Sequence, residues 1–301
     1  MAVRITVWLD GPSRGGGGGA IAAGMAQART ALFLGFGYVA AAMAARLAAE
    51  GWAILGTSRS GAARPGVQML AFSGAFSEAL DEAIGCADAI VCSIPPGEAG
   101  CSAALAFPGR LAASRAWKAY LSTTGVYGDR AGRWAFEDDP PTPQSPEASR
   151  RALAEGQWRA SGGHVFRLPG IYGPGRSPFD RIAERRIDKP GQVFSRAHRD
   201  DIASALIASL ARPNPGRLYN ICDDEPEASP VVTAYAAALL GVGPGPLVPV
   251  EDAGLSPMGQ RFYAECKRVS NARAKAELGW RPAYPSYREG LAAILKAERA
   301  P

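Results

Sequence analysis

The sequence has little histidine, little cysteine and no long apolar run, and each shortage excludes a class of protein. Its only two histidines, His164 and His198, stand too far apart for a common zinc motif, so we expect no metal. The five cysteines are odd in number and form no CxxC pair, which favours reduced thiols in a cytoplasmic protein. No apolar run approaches the roughly 20 residues that span a bilayer, so we expect no membrane partner.

Neither positive nor negative charge is concentrated in one segment of the chain. The 33 lysines and arginines exceed the 28 acidic residues by five, and they are spread along the chain. We therefore expect a small-molecule substrate rather than a nucleic acid, and the positive excess would help attract a phosphorylated ligand. A homodimer is compatible with this composition.

Residues 1–30 contain a short apolar segment followed by a glycine run and lack the apolar core of a signal peptide. We expect a flexible extension here, with Met25 as an alternative start. From residue 31, short apolar segments alternate with segments of helical periodicity. Strands are predicted at 31–34, 52–56, 67–72, 89–93, 118–122 and 164–168, and helices at 38–50, 76–87, 148–160, 201–211 and 287–296.

This alternation is typical of βαβ units and predicts an α/β fold with a doubly wound parallel Rossmann-type sheet. We expect the sheet to occupy residues 31–170. Beyond residue 170, clustered glycines and prolines predict shorter and irregular elements. We expect residues 171–301 to form mainly a smaller C-terminal substrate lobe, with some elements returning to the Rossmann domain.

The first predicted strand runs directly into a GxGxxA motif that opens the first helix. Glycines at 35 and 37 permit a tight turn and a close approach of backbone amides to a pyrophosphate. The motif predicts a dinucleotide site, and the alternative is a glycine turn in an α/β protein that binds none. The predicted contacts in this turn are Gly35, Phe36, Gly37, Tyr38 and Val39.

The segment after the second strand indicates which dinucleotide is preferred. An NAD site usually offers a carboxylate to the ribose there, whereas this chain has Ser58 and Arg59. A guanidinium suits a 2′-phosphate, so we expect NADP, with NAD as the alternative and an exposed surface arginine as the non-binding explanation. Ser93 and Pro169, at the ends of two later strands, complete the predicted cofactor contacts.

Four ordered segments then resemble one family. Residues 122–128 (STTGVYG) are similar to the SS-x-x-VYG segment of the extended short-chain dehydrogenase/reductases, the NAD-dependent epimerase/dehydratase-like family. Agreement continues at 167–176 (RLPGIYGPGR), 194–203 (FSRAHRDDIA) and 267–280 (KRVSNARAKAELGW). The resemblance covers residues 31 to about 297, and it implies a Rossmann fold, a nicotinamide cofactor and chemistry on a small molecule.

The resemblance also implies catalytic positions. Thr123, with Thr124 beside it, matches the serine or threonine that hydrogen-bonds the reacting oxygen in the family. The family's YxxxK pair is missing, because alignment on Glu155 places Glu147 at the tyrosine position and Arg151 at the lysine position. This departure leaves the proton donor open.

Three interpretations compete for that donor. In the first interpretation, burial raises the pKa of Glu147 so that it acts as an acid, and Arg151 binds ribose or phosphate. The alternative is that Glu147 is only a solvated carboxylate at the start of a helix. Tyr127 or Tyr172 reaches the site from a neighbouring loop, or packs beneath it. The string YAECK at 263–267 is the only YxxxK in the chain, and we interpret it as a chance match whose Tyr263 and Lys267 could line a substrate pocket.

Candidate substrate contacts follow the fifth and later strands. The resemblance implies that Arg176 and Arg196 contact an anionic substrate, because the family uses this lobe to hold substrate phosphates or carboxylates, and a surface role is the alternative. Tyr172 precedes Arg176 by four residues, and His198 is either a packed residue at a helix start or a proton relay. We expect an NAD(P)-dependent oxidoreductase acting on a carbonyl, alcohol or sugar-nucleotide substrate. The alternatives are a nucleotide-sugar epimerase or dehydratase, and an NADP-binding regulatory protein without hydride chemistry.

Overall fold

A computed structural model describes residues 28–299 and has a seven-stranded sheet at its centre. The predicted extension and Met25 lie, apart from residues 28–30, outside these described residues. The strands are β1 (Thr30–Leu34), β2 (Ala53–Ser58), β3 (Gln68–Ala71), β4 (Ala89–Cys92), β5 (Trp117–Thr123), β6 (Trp134–Ala135), β7 (His164–Leu168), β8 (Gly170–Tyr172), β9 (Arg186–Asp188), β10 (Arg196–His198), β11 (Leu218–Asn220), β12 (Leu247–Pro249) and β13 (Arg268–Val269). The helices are α1 (Tyr38–Ala49), α2 (Glu78–Cys86), α3 (Ser102–Ala106), α4 (Pro108–Ala113), α5 (Pro146–Ala160), α6 (Arg199–Ala211), α7 (Ser229–Leu240), α8 (Pro257–Ala264), α9 (Ala272–Leu278) and α10 (Tyr287–Glu298).

The strands of the central sheet are parallel and follow the order β11-β7-β5-β4-β1-β2-β3. The chain therefore winds outward in both directions from β1. One face is covered by α1 and α6 and the other by α2 to α5, as the two apolar clusters on either side of the sheet show. The predicted doubly wound α/β fold is confirmed.

Strand β1 shows why this sheet is buried on both faces. Alternate side chains of a strand point in opposite directions, so Phe33 joins the cluster against α1 while Leu32 and Leu34 join the cluster against α2. All three are fully buried. Each such side chain contributes about 1.5–3 kcal/mol through burial, which explains the continuous apolar run in the sequence.

One predicted boundary and one predicted irregular region differ from the structure for identifiable reasons. Helix α5 begins at Pro146 rather than at 148, because proline is tolerated in the first turn and Ser145 caps the helix by accepting a hydrogen bond from the Ala148 amide. The expectation of irregular elements beyond residue 170 is wrong for the 12-residue α7. Pro230 lies in its first turn and Gly241 ends it in a left-handed conformation, so neither interrupts the helix.

Short parallel pairs complete the C-terminal part: β8 with β10, β9 with β12, and β6 with β13. A separate apolar cluster that includes Tyr172, Ile182 and Leu291 holds α7 and α10 together. Because β1, β2, β4, β5 and β7 are parallel, their carboxyl ends lie along one edge of the central sheet. In folds of this kind that edge forms the ligand crevice.

Candidate active site

The glycine turn after β1 is held in place from both sides. Gly35 has a φ of +87°, a conformation that favours glycine. Its amide donates to Thr57 Oγ1 at 2.8 Å, and its carbonyl accepts from Ser93 Oγ at 2.7 Å. The hydroxyl of Ser93 therefore fixes the turn, and Thr57 does the same from β2. Sequence reasoning missed Thr57, whose only signal was its place at the end of β2.

The next part of the turn is open. Within residues 28–299, a Cβ atom built on Gly37 would meet no atom within 4 Å, and no side chain caps α1 at this residue. The first turn of α1 carries no acidic side chain, so its amides face this space with their partial positive charge uncompensated. A helix start of this kind favours a phosphate group.

The residues around the turn have distinct roles. The amide of Phe36 donates to the Thr57 carbonyl at 2.9 Å, which closes the loop onto β2. Tyr38 Oη donates to the Pro174 carbonyl at 2.8 Å, so this ring joins the turn to the C-terminal part of the chain. Val39 is buried in the core beneath the turn.

The end of β2 matches the predicted position for the ribose side of a dinucleotide. Ser58 Oγ is buried and has no hydrogen-bond partner among the described residues. Arg59, next to it, is exposed, and the guanidinium of Arg64 lies 5.7 Å from the centre of the Phe36 ring. An unpartnered hydroxyl beside exposed guanidinium groups suits an anionic ligand.

A cavity of about 530 Å³ lies beyond the carboxyl end of β5. Thr123 and Thr124 line it, together with Pro169 from the end of β7. Thr123 Oγ1 accepts a hydrogen bond from the Gly125 amide at 3.1 Å, and this leaves the hydroxyl proton of Thr123 for a ligand. The structure thus brings the predicted threonine pair and Pro169 to one cavity.

Glu147 also lines this cavity, but it does not have the properties of a buried acid. Its side chain is 64% exposed and lies 3.8 Å from Arg261. A hydrogen bond with its own backbone N–H and the nearby Arg261 guanidinium lower the pKa of Glu147 below its ordinary value. The interpretation of Glu147 as a proton donor with a raised pKa is therefore wrong.

Arg151, at the lysine position of the missing pair, is directed toward the sheet. Its Nη1 donates to the Leu121 carbonyl at 2.8 Å and to Tyr120 Oη at 3.3 Å. Arg151 is not among the residues that line the cavity. The predicted contact of Arg151 with ribose or phosphate is thus replaced by contacts that tie α5 to β5.

Tyr127 lies in the core rather than in the cavity. It is fully buried, and its hydroxyl donates to Asn220 Oδ1 at 2.8 Å. Burial raises the pKa of Tyr127 to about 12. The interpretation of Tyr127 as a proton donor reaching the site is wrong, because the side chain packs beneath its loop.

A larger cavity of about 840 Å³ adjoins the first, and Met258 and Phe262 line both. Tyr172 and Arg176, two of the predicted substrate residues, line the larger cavity. The Tyr172 hydroxyl donates to the Ser286 carbonyl at 3.4 Å, and burial raises the pKa of this hydroxyl far above its ordinary value. Tyr172 therefore forms part of the wall and is not a proton donor.

Two other predicted substrate residues are engaged elsewhere. Arg196 lies beside a small apolar cavity, and its Nη1 donates to the carbonyls of Phe194 and Glu227 at 2.8 and 2.7 Å. His198 is buried and caps α6, because its Nδ1 accepts a hydrogen bond from the Asp200 amide at 3.2 Å. Burial lowers the pKa of His198 to about 4, so the ring is neutral. Neither residue lines the two large cavities, and of the two interpretations of His198 the packed residue at a helix start is the one observed.

Helix α8 and the segment after it contribute to both cavities, and sequence reasoning missed Arg261 and Glu265 among their residues. Arg261, Glu265 and Lys267 line the smaller cavity, and Tyr263 lines the larger one. The signal was present as the YAECK string, in which Tyr263 and Lys267 do not act as the family's pair but do line the two pockets. Over residues 28–299 no helix is long and apolar enough to cross a membrane, and no three His, Cys, Asp or Glu residues are grouped to hold a metal.

Comparison with known proteins identifies chains that are similar to this one. A conserved protein of unknown function from Silicibacter pomeroyi is 44% identical, with a TM-score of 0.82 over 90% of this chain and 100% of its own. Protein YeeZ of Escherichia coli K12 is 27% identical over 84% of this chain and 95% of its own length. No family model matches the sequence.

More distant solved structures share the fold. The dTDP-glucose 4,6-dehydratase of Bacillus anthracis, in complex with NAD, is 19% identical with a TM-score of 0.70 over 89% of this chain and 96% of its own. RMD of Pseudomonas aeruginosa, complexed with NADPH, is 19% identical with a TM-score of 0.65 over 90% of this chain and 100% of its own. The resemblance drawn from the sequence motifs is confirmed at the level of the fold.

Proposed function

We propose that this chain, which belongs to the same family as the Silicibacter pomeroyi protein and has the extended short-chain dehydrogenase/reductase fold, is an NADP-dependent oxidoreductase. The observation that carries the proposal is the open glycine turn at Gly37, which lies on the same sheet edge as the cavity at Thr123. The diphosphate of the cofactor would lie against the first turn of α1. The fold neighbours that hold NAD or NADPH support this assignment.

The preference for NADP rests on the end of β2. Ser58 offers a buried hydroxyl without a partner, and Arg59 offers an exposed guanidinium. Together they can bind a 2′-phosphate through charge-assisted hydrogen bonds. An NAD site would place a carboxylate near these residues, and the segment 57–60 contains none.

The reaction is a hydride transfer at a carbonyl or alcohol carbon of a small molecule. The bound nicotinamide supplies or accepts the hydride. The free hydroxyl of Thr123 donates a hydrogen bond to the substrate oxygen and holds that oxygen in place. Pro169, Phe194 and Phe262 supply apolar walls beside the reacting atoms.

The larger cavity indicates the charge of the substrate. Four arginines line it: Arg176, Arg181, Arg185 and Arg186. Arg181 is exposed but paired with Glu184, and Arg186 Nε donates to the Gly245 carbonyl at 2.8 Å. Arg176 and Arg185 are therefore the exposed guanidinium groups of this cavity that have no ion-pair partner among the described residues. We expect the substrate to carry a carboxylate or phosphate at this end.

A nucleotide sugar is the second candidate substrate. The smaller and larger cavities adjoin, and together they offer space for an elongated ligand with its reacting carbon near Thr123 and its phosphates near Arg176. The dTDP-glucose dehydratase among the fold neighbours supports this class. An epimerase or dehydratase reaction would need a strong base at the cavity, and the tyrosine of the family is not present there.

A substitution in the glycine turn at Gly37 provides the test of the proposed cofactor binding. Gly37→Ala should leave folding stability within about 0.5 kcal/mol of wild type, because the added methyl meets no protein atom and the φ of −102° suits alanine. The same methyl occupies the space of the diphosphate, so NADPH affinity measured by fluorescence titration should fall at least about tenfold, or ~1.4 kcal/mol.

Gly35→Ala is the matched control for the effect of an added methyl group on folding stability in the same turn. Its methyl would lie 3.0 Å from Ser93 Oγ at a φ of +87°, and the strain should destabilise the fold by about 1–3 kcal/mol. Wild-type protein that binds neither NADPH nor NADH at millimolar concentration would refute the proposed function. So would a Gly37→Ala variant with unchanged affinity.

A further inference from the structure

The smaller cavity contains a lysine that no motif assigns to catalysis. Lys267 follows α8 and lines the cavity together with Thr123, Thr124 and Gly125. Its Nζ donates to the Gly128 carbonyl at 2.7 Å and to Glu265 Oε2 at 2.5 Å. An ammonium group has three donors, so one N–H remains for a ligand.

Lys267 is held in place by the chain on both sides of it. The amide of Cys266 donates to Asp129 Oδ1 at 2.8 Å, and the Arg268 amide donates to the Arg133 carbonyl at 3.0 Å. Strand β13 then pairs with β6, with Arg268 opposite Trp134. The backbone of residue 267 is thereby fixed against the loop that leaves the cavity.

One short turn connects the contacts of the ammonium group and of the threonine pair. Thr123 caps a single 3-10 turn over Thr124–Tyr127, and Gly128 ends that turn. The Nζ atom contacts the carbonyl at one end of the turn, while the Thr123 hydroxyl stands at the other end. Both hydrogen-bond donors line the same cavity.

Burial distinguishes the Lys267–Glu265 ion pair from the Arg261–Glu147 ion pair of the same cavity. The side chains of Lys267 and Glu265 are 11% and 17% exposed, whereas those of Arg261 and Glu147 are 48% and 64% exposed. A charge shielded from water acts more strongly on a developing oxyanion than an exposed one. Lys267 is therefore the better placed cation for the reacting oxygen.

We propose that Lys267 is the proton donor of the reduction, in place of the tyrosine that the family places on the α5 helix. This role rests on the proposed function. When the carbonyl carbon accepts hydride, the C=O electron pair moves to oxygen, and Lys267 Nζ–H transfers its proton to that oxygen. An alcohol and a neutral amine form, and the amine then takes a proton from solvent. Glu265 is a positioning residue that keeps the ammonium directed at the cavity.

The test uses an oxyanion probe, so that it does not depend on knowing the substrate. 4-Nitrophenolate is added to the protein saturated with NADP⁺, and its binding is followed by its absorbance. Wild type should bind the phenolate and lower the pH at which the bound nitrophenol ionises. Lys267→Met should weaken phenolate binding at least about tenfold, which corresponds to ~1.4 kcal/mol.

Two further variants keep the comparison sharp. Lys267→Gln preserves a donor to the Gly128 carbonyl without the charge, and it should lose phenolate binding to a similar extent. Lys275→Met removes a lysine that is paired with Asp224 on the surface, 2.5 Å away, and it should behave as wild type. NADPH affinity, measured in parallel, should be the same in all of these proteins.

The outcomes separate the two proposals. If wild type binds NADPH but does not bind the phenolate, or if Lys267→Met and Lys267→Gln bind it as tightly as wild type, the role of Lys267 is refuted and the proposed function stands. If wild type does not bind NADPH, the proposed function is refuted and the role of Lys267 with it.

Discussion

A buried ion pair directly behind the candidate active site allows a quantitative prediction. Arg167 on β7 donates to Glu155 on α5 through two bonds, Nε to Oε1 at 3.0 Å and Nη2 to Oε2 at 2.7 Å. Their side chains are 3% and 6% exposed. Ser122 Oγ donates to the same Oε1 at 2.6 Å, so the carboxylate joins β5, β7 and α5 just before Thr123.

Glu155→Leu should destabilise the protein by about 3–5 kcal/mol. The substitution leaves the Arg167 guanidinium buried without a counter-ion and removes the acceptor of Ser122. One guanidinium nitrogen of Arg167 already has no partner, so the remaining contacts cannot compensate for the loss. Urea unfolding followed by circular dichroism measures the change, because the shift in midpoint multiplied by the slope gives the free energy.

A double variant and a surface control test whether the unpaired buried charge causes the loss of stability in Glu155→Leu. Glu155→Leu combined with Arg167→Met should recover most of the loss, because removing both charges also removes the desolvation cost. Glu184→Leu breaks the Arg181 pair, whose side chains are 72% and 53% exposed, and should change stability by less than about 1 kcal/mol. A Glu155→Leu cost as small as this control, or a double variant no more stable than Glu155→Leu, would refute the reasoning.

Two other predictions concern the cofactor and pH. Arg59→Asp should reverse the preference for NADPH over NADH in fluorescence titrations, because a carboxylate repels the 2′-phosphate, and an unchanged ratio of the two affinities would contradict the assignment. Burial raises the pKa of Asp223 to about 8, so the folded protein keeps a proton that the unfolded chain releases, and stability falls as the pH rises from about 4 toward 8. The difference in unfolding free energy between Asp223→Asn and wild type should therefore favour the variant more at pH 9 than at pH 5. Urea titrations that give the same difference at both pH values would exclude Asp223 as the cause of the pH dependence.

The parts of the site that were predictable depend on local sequence. The glycine turn follows from the spacing of Gly35 and Gly37 between a buried strand and a helix, and the threonine pair follows from its place at the end of β5. Parallel strands bring their carboxyl ends to one edge, so local periodicity was enough to place these residues near each other. The central sheet was predictable for the same reason.

The rest depends on contacts between distant segments. Sequence could not show that Tyr127 faces the core, because a buried hydroxyl needs a partner and Asn220 is 93 positions away. Sequence could suggest that Lys267 lines a pocket but not which one, because the two-residue strand β13 beside it is too short to carry a periodic signal and exists through its pairing with β6. The two interpretations of His198 stayed open because a neutral capping histidine and a proton-relay histidine occur in the same sequence context, and the capping position is the one observed.

The pairing of β6 with β13 affects the order in which parts of the site can form. The central sheet has its last strand at Leu218–Asn220, so all seven of its strands precede Lys267 in the chain. The wall that carries Lys267 arrives later and must dock more than 130 positions back along the chain, against Gly128 and Trp134. A contact of such long range is slow to form. The glycine turn can thus form from contacts of Gly35 with Thr57 and Ser93, whereas the smaller cavity gains the side that carries Lys267 only when the two distant segments meet.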